Sequence, residues 1–114
     1  MFLLLLRRNQ ADELAIPEEA MLERFAEWTR SLQSKGILRA VERLKGSSGG
    51  FTVRARADVI NIEGPYTDAK EDVVGIYLIE VADHSNAQTI AKECPILLVG
   101  GSVEIRETDS FPKP

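Results

Sequence analysis

The sequence predicts a single α+β domain in which an antiparallel sheet is covered by two helices. Three observations lead to this fold class. Residues 2–8 form an apolar run with charge at its end, which is typical of a buried strand. Residues 73–81 form a second run, the strongest strand signal in the chain. Two other stretches carry apolar residues at helical spacing, so strands and helices alternate along the chain.

The first helix is expected to begin at Pro17, because proline suits the first turn and the acidic Glu18 and Glu19 suit its positive end. Gly36 is expected to end it, since glycine readily adopts the left-handed conformation found there. The predicted buried stripe has Met21 and Trp28 on one flank and consists of Leu22, Phe25, Ala26, Thr29 and Leu32.

The middle of the chain predicts two strands, residues 37–44 and 51–57, joined by a flexible glycine-serine turn at 46–50. We expect residues 51–57 to pair with residues 39–45 as a hairpin. In the second strand, apolar residues alternate with polar ones that include Arg54 and Arg56, which is typical of a strand with one face in water. The two arginines could bind an anion, line a dimer seam or simply face solvent.

Residues 73–81 are apolar on both faces. The helices can cover one face, but the other face also needs a cover. A second copy of the chain would supply one, and we therefore expect a homodimer.

The end of the chain predicts a second helix and a last strand. Asp83 or Ser85 is expected to cap the helix, and Pro95 to stop it. Its apolar stripe is predicted to be Ala87, Ile90, Ala91 and Cys94. The last strand is expected at residues 102–107, so the domain spans residues 1–108 and residues 109–114 form a loose tail. This order of elements matches the split βαβ arrangement of ferredoxin-like folds, with both helices on one face of the sheet.

Composition narrows the classes of function. The formal net charge is −4, which disfavours nucleic acid and anionic membrane surfaces as partners. The single cysteine cannot form an internal disulfide, and the apolar start is too short for a membrane span and has its arginines on the wrong side for a signal peptide. We therefore expect a cytoplasmic protein, and nothing in the sequence indicates a metal or another cofactor.

The main candidate site is a polar cluster that follows the apolar run at residues 59–62. A carboxylate and an ammonium group beside a buried sheet can bind a small polar ligand or relay a proton. The alternative is a tight Gly-Pro turn in which the lysine pairs with a nearby acid. With Arg54 from the preceding strand, the predicted ligand-binding residues are Glu63, Tyr66, Lys70 and Glu71.

Two side chains are candidates for acid–base catalysis, Glu63 and the only histidine, His84. The position of His84 at the start of the second helix also fits an exposed side chain with no role. Cys94 is expected to be a buried apolar residue rather than a catalytic thiol, because a thiol nucleophile needs a base and access.

The residues themselves suggest a family. The chain resembles the YCII-related proteins, and within them the DGPF-type branch, whose Asp-Gly-Pro-Phe motif corresponds to the Glu-Gly-Pro-Tyr at residues 63–66. The similarity extends over nearly the whole chain and includes Gly36-Ile37-Leu38, Glu42-Arg43-Leu44, Gly75-Ile76-Tyr77-Leu78-Ile79, Cys94-Pro95 and Gly100-Gly101-Ser102.

The resemblance implies a ferredoxin-like subunit that pairs, sheet against sheet, as a dimeric α/β barrel. It also implies that the activity of most members is unassigned, and that DGPF-type members often occur beside sigma factors of the extracytoplasmic-function class. Our first hypothesis is therefore a small-molecule-binding or regulatory protein with such a sigma factor as a possible partner. The alternative is a small lyase, isomerase or dehalogenase-type enzyme with Glu63 or His84 as acid–base and Lys70 or Arg54 holding an anionic substrate. The N-terminal region has no histidine, so the His–Asp pair of enzymatic relatives does not carry over. A plain interaction domain is the third possibility.

Overall fold

The computed structural model describes residues 1–9, 14–46, 49–65 and 71–112 of the 114-residue chain. Helices and an antiparallel sheet are both present, so the α+β class is confirmed. In chain order the elements are β1 (Phe2–Arg8), α1 (Glu18–Ser34), β2 (Leu38–Arg43), β3 (Thr52–Arg56), β4 (Val59–Glu63), β5 (Asp72–Ile79), α2 (His84–Ala91), a 3-10 helix (Pro95–Val99) and β6 (Ser102–Glu107).

Four strands form the main sheet, in the order β2-β5-β1-β6, and each neighbouring pair is antiparallel. The leucine-rich β1 lies in the interior of the sheet, where Leu4 is opposite Tyr77 on one side and Ile105 on the other. A buried strand at the start of the chain was predicted, and it is confirmed.

The predicted hairpin between residues 39–45 and 51–57 is wrong. β2 pairs with β5, whereas β3 pairs with β4 in a separate two-stranded sheet. The turn of this hairpin is Ala57-Asp58, and both residues have positive φ angles, 49° and 64°. Two-residue turns of this kind usually contain Asn-Gly or Asp-Gly, so the sequence carries no typical hairpin signal here.

The core lies between one face of the main sheet and the two helices. Alternate residues of β1 point into it, which is the period of two expected for a strand. Its buried members are Phe2, Leu4, Leu6, Trp28, Leu32, Tyr77, Ile79, Ala87, Ile90, Ala91, Cys94 and Ile96.

α1 is rotated relative to the predicted stripe. The buried residues are Met21, Trp28 and Leu32, whereas Leu22, which was expected to be buried, is 45% exposed. Met21 and Trp28, expected only on a flank, therefore lie at the centre of the buried face. The helix is followed by Gly36 at φ 71°, as predicted. Within the described residues, no helix has the length and apolar character needed to cross a membrane.

Asp83 caps α2, and its Oδ1 accepts a hydrogen bond of 2.9 Å from the backbone N–H of Asn86. The helix ends at Ala91, earlier than its predicted stop at Pro95, and Pro95 instead opens the 3-10 helix. Cys94 is 2% exposed, so the prediction of a buried cysteine is confirmed.

The second face of the main sheet is also apolar at its centre. Across β1 and β5, Leu3 is opposite Leu78 and Leu5 is opposite Ile76, and these four residues are half-buried. None of them belongs to the core on the helix side. We refer to Leu3, Leu5, Ile76 and Leu78 as the open sheet face.

Candidate functional site

A cavity of about 240 Å³ lies between α1 and the main sheet. Its walls combine residues from four elements, β1, α1, β5 and the 3-10 helix. The wall residues are Leu6, Met21, Phe25, Val74, Tyr77, Ile96 and Val99. Because these side chains are apolar, the interior suits an apolar group and offers no charge to a polar one.

The rim of the cavity carries charge. Arg43, near the end of β2, lies 3.2 Å (Nη2) from the Glu18 Oε1 at the start of α1. Arg8 and Glu42 also line the cavity. The rim further includes four exposed apolar residues, Leu14, Leu22, Val41 and Leu44. The entrance is therefore apolar, with two arginines and two glutamates beside it. A ligand with an apolar body and an acidic group would have to replace Glu18 as the partner of Arg43.

Tyr77 is a wall residue rather than an acid or base. Its hydroxyl lies 2.7 Å from the Thr29 hydroxyl, and its ring packs against Trp28 with centroids 4.5 Å apart. Burial raises the pKa of the Tyr77 phenol, although the hydrogen bond with Thr29 acts in the opposite direction. Tyr77 therefore stays neutral at physiological pH and can offer a ligand only a hydrogen bond.

A second, shallower groove runs between α1 and the segment at residues 92–98. It has a charged rim with both signs, including Arg24, Glu27 and Lys92. Trp28 lines it, and in the described part of the chain the buried indole Nε1 has no hydrogen-bond acceptor. This groove is open along its length and encloses a ligand less completely than the cavity does.

The predicted site residues that the structure describes fall in separate places. Glu63 lies at the end of β4, with its Oε2 3.7 Å from Arg54 Nε and its Oε1 3.4 Å from Arg56 Nη2. Arg54 and Glu63 are thus brought together, on one face of the hairpin. Tyr66 and Lys70 lie outside the described residues, so the predicted pocket rim around them stays a prediction.

Glu71 and His84 are positioned by other elements. The Ser102 hydroxyl donates a hydrogen bond of 3.4 Å to Glu71 Oε2. His84 Nε2 lies 3.5 Å from Glu107 Oε1, and its ring meets the Phe2 ring edge-on at 4.8 Å. Neither Glu71 nor His84 lines the cavity or the groove. Among the described residues, no group of three or more potential ligands is placed to hold a metal ion.

Sequence reasoning missed the cavity, although it named several of its residues as core. Its walls come from β1, α1, β5 and the 3-10 helix, and its rim includes the end of β2. The one available signal was the acidic start of α1, where Glu18 meets an arginine from the next strand. The same acidic residues also suit the positive end of the helix, so they do not by themselves indicate a cavity.

The chain matches a known protein family. The family model for the YCII-related domain matches residues 1–111. No curated protein matches the chain. Because the family model covers almost all of the sequence, the chain belongs to the YCII-related domain family.

Proposed function

We propose that this YCII-related protein binds a small acidic ligand with an apolar body, and that it does so as a homodimer. The observation that carries the proposal is the apolar cavity of about 240 Å³ with Arg43 at its rim. Ligand pockets for drug-sized molecules are about 300–1,000 Å³. The ligand is therefore small, with a body the size of a phenyl ring or a branched alkyl group.

Arg43 is the residue that recognises the acidic group. Its ion pair with Glu18 is exposed, with 70% and 64% of the two side chains accessible to solvent. Such pairs contribute little to stability, so exchange of Glu18 for a ligand carboxylate costs little free energy. An arginine can hold a carboxylate through two parallel hydrogen bonds, which also fixes the orientation of the ligand.

The strand order β2-β5-β1-β6 supports a ferredoxin-like subunit, with β3 and β4 inserted between β2 and β5. The open sheet face supports pairing of two subunits as a dimeric α/β barrel. The Glu-Gly-Pro-Tyr sequence at residues 63–66 supports a place in the DGPF-type branch. A regulatory role beside an extracytoplasmic-function sigma factor is the setting that this branch implies, with ligand binding as the signal. The enzyme alternative has no comparable support, since Glu63 and His84 belong to different clusters.

The test is a thermal-shift measurement with small carboxylates such as phenylacetate, benzoate and isovalerate, each beside its neutral amide. A ligand at 100 times its dissociation constant stabilises the folded protein by about 2.7 kcal/mol. We expect at least one carboxylate to raise the melting temperature, and its amide to do so less.

Three variants test whether the rise in melting temperature comes from binding at the cavity. Leu22→Trp places a large side chain at the exposed rim of the cavity and should abolish the shift. Arg43→Gln should weaken it. Arg39→Gln is the matched control, because Arg39 lies on the same strand and pairs with Glu80 away from the cavity. No shift with any carboxylate, or an equal loss in Arg39→Gln and Arg43→Gln, would reject the proposed site.

A further inference from the structure

Two contacts between α1 and the main sheet mark the two ends of the cavity. At the start of α1, Glu18 pairs with Arg43 of β2. About three turns later, or about 16 Å along the helix axis, the Thr29 hydroxyl lies 2.7 Å from the Tyr77 hydroxyl of β5. The α1 side chains that line the cavity between these contacts are apolar, namely Met21, Leu22 and Phe25. The cavity therefore has an ionic end and a hydroxyl end.

The sheet beneath the cavity follows the same order. In the pairing of β2 with β5, Arg43 is opposite Gly75 and Val41 is opposite Tyr77. Opposite residues of neighbouring strands share a face, and so do alternate residues of one strand. Arg43 and Tyr77 therefore lie on the same side of the sheet, about 7 Å apart along the strand direction. A ligand that contacts both of them crosses Gly75.

Gly75 leaves the floor of the cavity open. A Cβ atom at this position would meet two described atoms within 4 Å, the Glu42 carbonyl oxygen at 3.3 Å and the Leu6 Cδ2 at 3.9 Å. No described atom of α1 comes that close, although α1 forms the opposite wall. The space above Gly75 is thus available to the apolar body of a ligand, which can lie directly against the strand.

The hydroxyl pair has the capacity for one more partner. Two hydroxyl groups carry two protons, and the hydrogen bond between Thr29 and Tyr77 uses one of them. In the part of the chain that the structure describes, this is the only side-chain hydrogen bond of either residue. Thr89 of α2 differs, because its hydroxyl donates to the Ser85 carbonyl oxygen at 3.1 Å. Tyr77 is only 5% exposed, so a polar group inside the cavity is the partner that would complete the pair.

We propose that the cavity binds a small hydroxy acid whose two polar groups lie at opposite ends of an apolar body. Its acidic group lies at Arg43, and its body crosses Gly75. Its hydroxyl lies at the Thr29–Tyr77 pair. This inference rests on the proposed binding of an acidic ligand and adds the second polar group, which defines the class of ligand. A hydroxyl fits because it can accept a hydrogen bond from Tyr77 when Thr29 donates to Tyr77, and donate one in the reverse arrangement.

The test compares three acids by isothermal titration calorimetry, para-hydroxyphenylacetate, ortho-hydroxyphenylacetate and phenylacetate. All three have the same ring and acidic group, but only the para isomer carries its hydroxyl opposite the acid. One net hydrogen bond changes affinity by about three- to tenfold. We therefore expect the para isomer to bind at least about threefold more tightly than either of the other acids.

One variant and one control connect this preference to the hydroxyl pair. Tyr77→Phe keeps the ring and removes the hydroxyl, so the para isomer and phenylacetate should bind within about twofold of each other. The affinity for phenylacetate should stay within about twofold of the parent value. Thr89→Val is the control, because it removes a helix hydroxyl that does not line the cavity, and it should keep the preference.

The contrary results separate this inference from the proposed function. If the three acids bind equally well, or if the preference persists in Tyr77→Phe, the hydroxy-acid inference is wrong and the binding of an acidic ligand stands. If none of the three binds, this inference is wrong, and the thermal-shift measurement decides the proposed function by itself. If Tyr77→Phe does not fold, nuclear Overhauser contacts in the parent protein decide. The ligand protons beside the para hydroxyl should contact the Tyr77 ring, and an absence of these contacts would overturn the inference.

Discussion

Burial of Cys94 changes both the reactivity of its thiol and the pH dependence of folding stability. The thiol is 2% exposed, and burial raises its pKa from 9.0 to about 12, although a backbone hydrogen bond at Ile96 acts in the opposite direction. A thiolate is the reactive form of cysteine, so this thiol is inert in the folded protein. Its contribution is that of a small apolar side chain in the core.

The raised pKa makes stability depend on pH in a defined direction. Above about pH 9 the unfolded chain loses the thiol proton while the folded chain keeps it, so the free energy of unfolding falls as pH rises, by up to about 1.4 kcal/mol per pH unit. Urea unfolding of the parent protein and of Cys94→Ala at a series of pH values should show this fall in the free energy of unfolding. The advantage of the parent should be constant below about pH 8 and shrink between about pH 9 and pH 11. A difference that stays constant throughout would contradict the burial argument.

At the scale of elements, Gly101 fixes how the 3-10 helix meets β6. A Cβ atom at this position would lie 2.6 Å from the Arg7 carbonyl oxygen and 2.9 Å from that of Ile96, and it would also meet the Ile96 side chain. The Gly101 N–H donates a 3.0 Å hydrogen bond to the Ile96 carbonyl. Two backbone segments therefore pass so close that a side chain has no room.

Gly101→Ala should lower the free energy of unfolding by about 2–3 kcal/mol, because the extra methyl group forces these segments apart. The control is Gly64→Ala, where a Cβ atom would meet nothing within 4 Å. It should change stability by less than about 0.5 kcal/mol. Denaturant unfolding measures both variants, and similar values for the two would show that the close approach at Gly101 relaxes at little cost.

Elements with a strong apolar pattern could be predicted from the sequence, and the pairing of the middle strands could not. β1, β5, β6 and both helices follow from periodicity and capping residues. The Gly46–Gly50 segment looks like a hairpin turn, whereas the true turn is Ala57-Asp58, which adopts positive φ without glycine. The choice between these turns is made by tertiary pairing of β2 with β5, which local sequence does not encode.

The cavity could not be predicted from the sequence for a related reason. Its walls depend on the rotation of α1, and the one-residue difference between Met21 and Leu22 decides which side chain faces the sheet. Helical periodicity alone admits both choices, because Met21 and Leu22 are both apolar. The sequence gives no sign that Arg43 lies at a cavity rim, since its approach to Glu18 needs both elements in place.

At the scale of the whole molecule, the two faces of the main sheet differ in what covers them. The helices cover one face, and its residues are nearly inaccessible to solvent. The open sheet face keeps four half-buried apolar residues at its centre, flanked on β6 by Glu104 and Arg106. A surface with an apolar centre and a charged rim has the composition of a protein interface.

Leu78→Glu should therefore dissociate the proposed dimer without unfolding the subunit. In the dimer, a carboxylate at this position would be buried without a partner, which costs several kcal/mol, whereas in the monomer it can reach water. Light scattering should give the mass of one 12.6 kDa chain for the variant and twice that mass for the parent. Circular dichroism should be unchanged.

Leu97→Glu is the matched control, because Leu97 is an exposed leucine of the 3-10 helix, on the helix side of the molecule. It should remain a dimer. If Leu78→Glu remains a dimer as well, the sheets do not face each other in the assembly. If it unfolds, the open sheet face contributes to the subunit core, and Leu5→Gln, a smaller polar change on the same face, becomes the variant that decides between the two explanations.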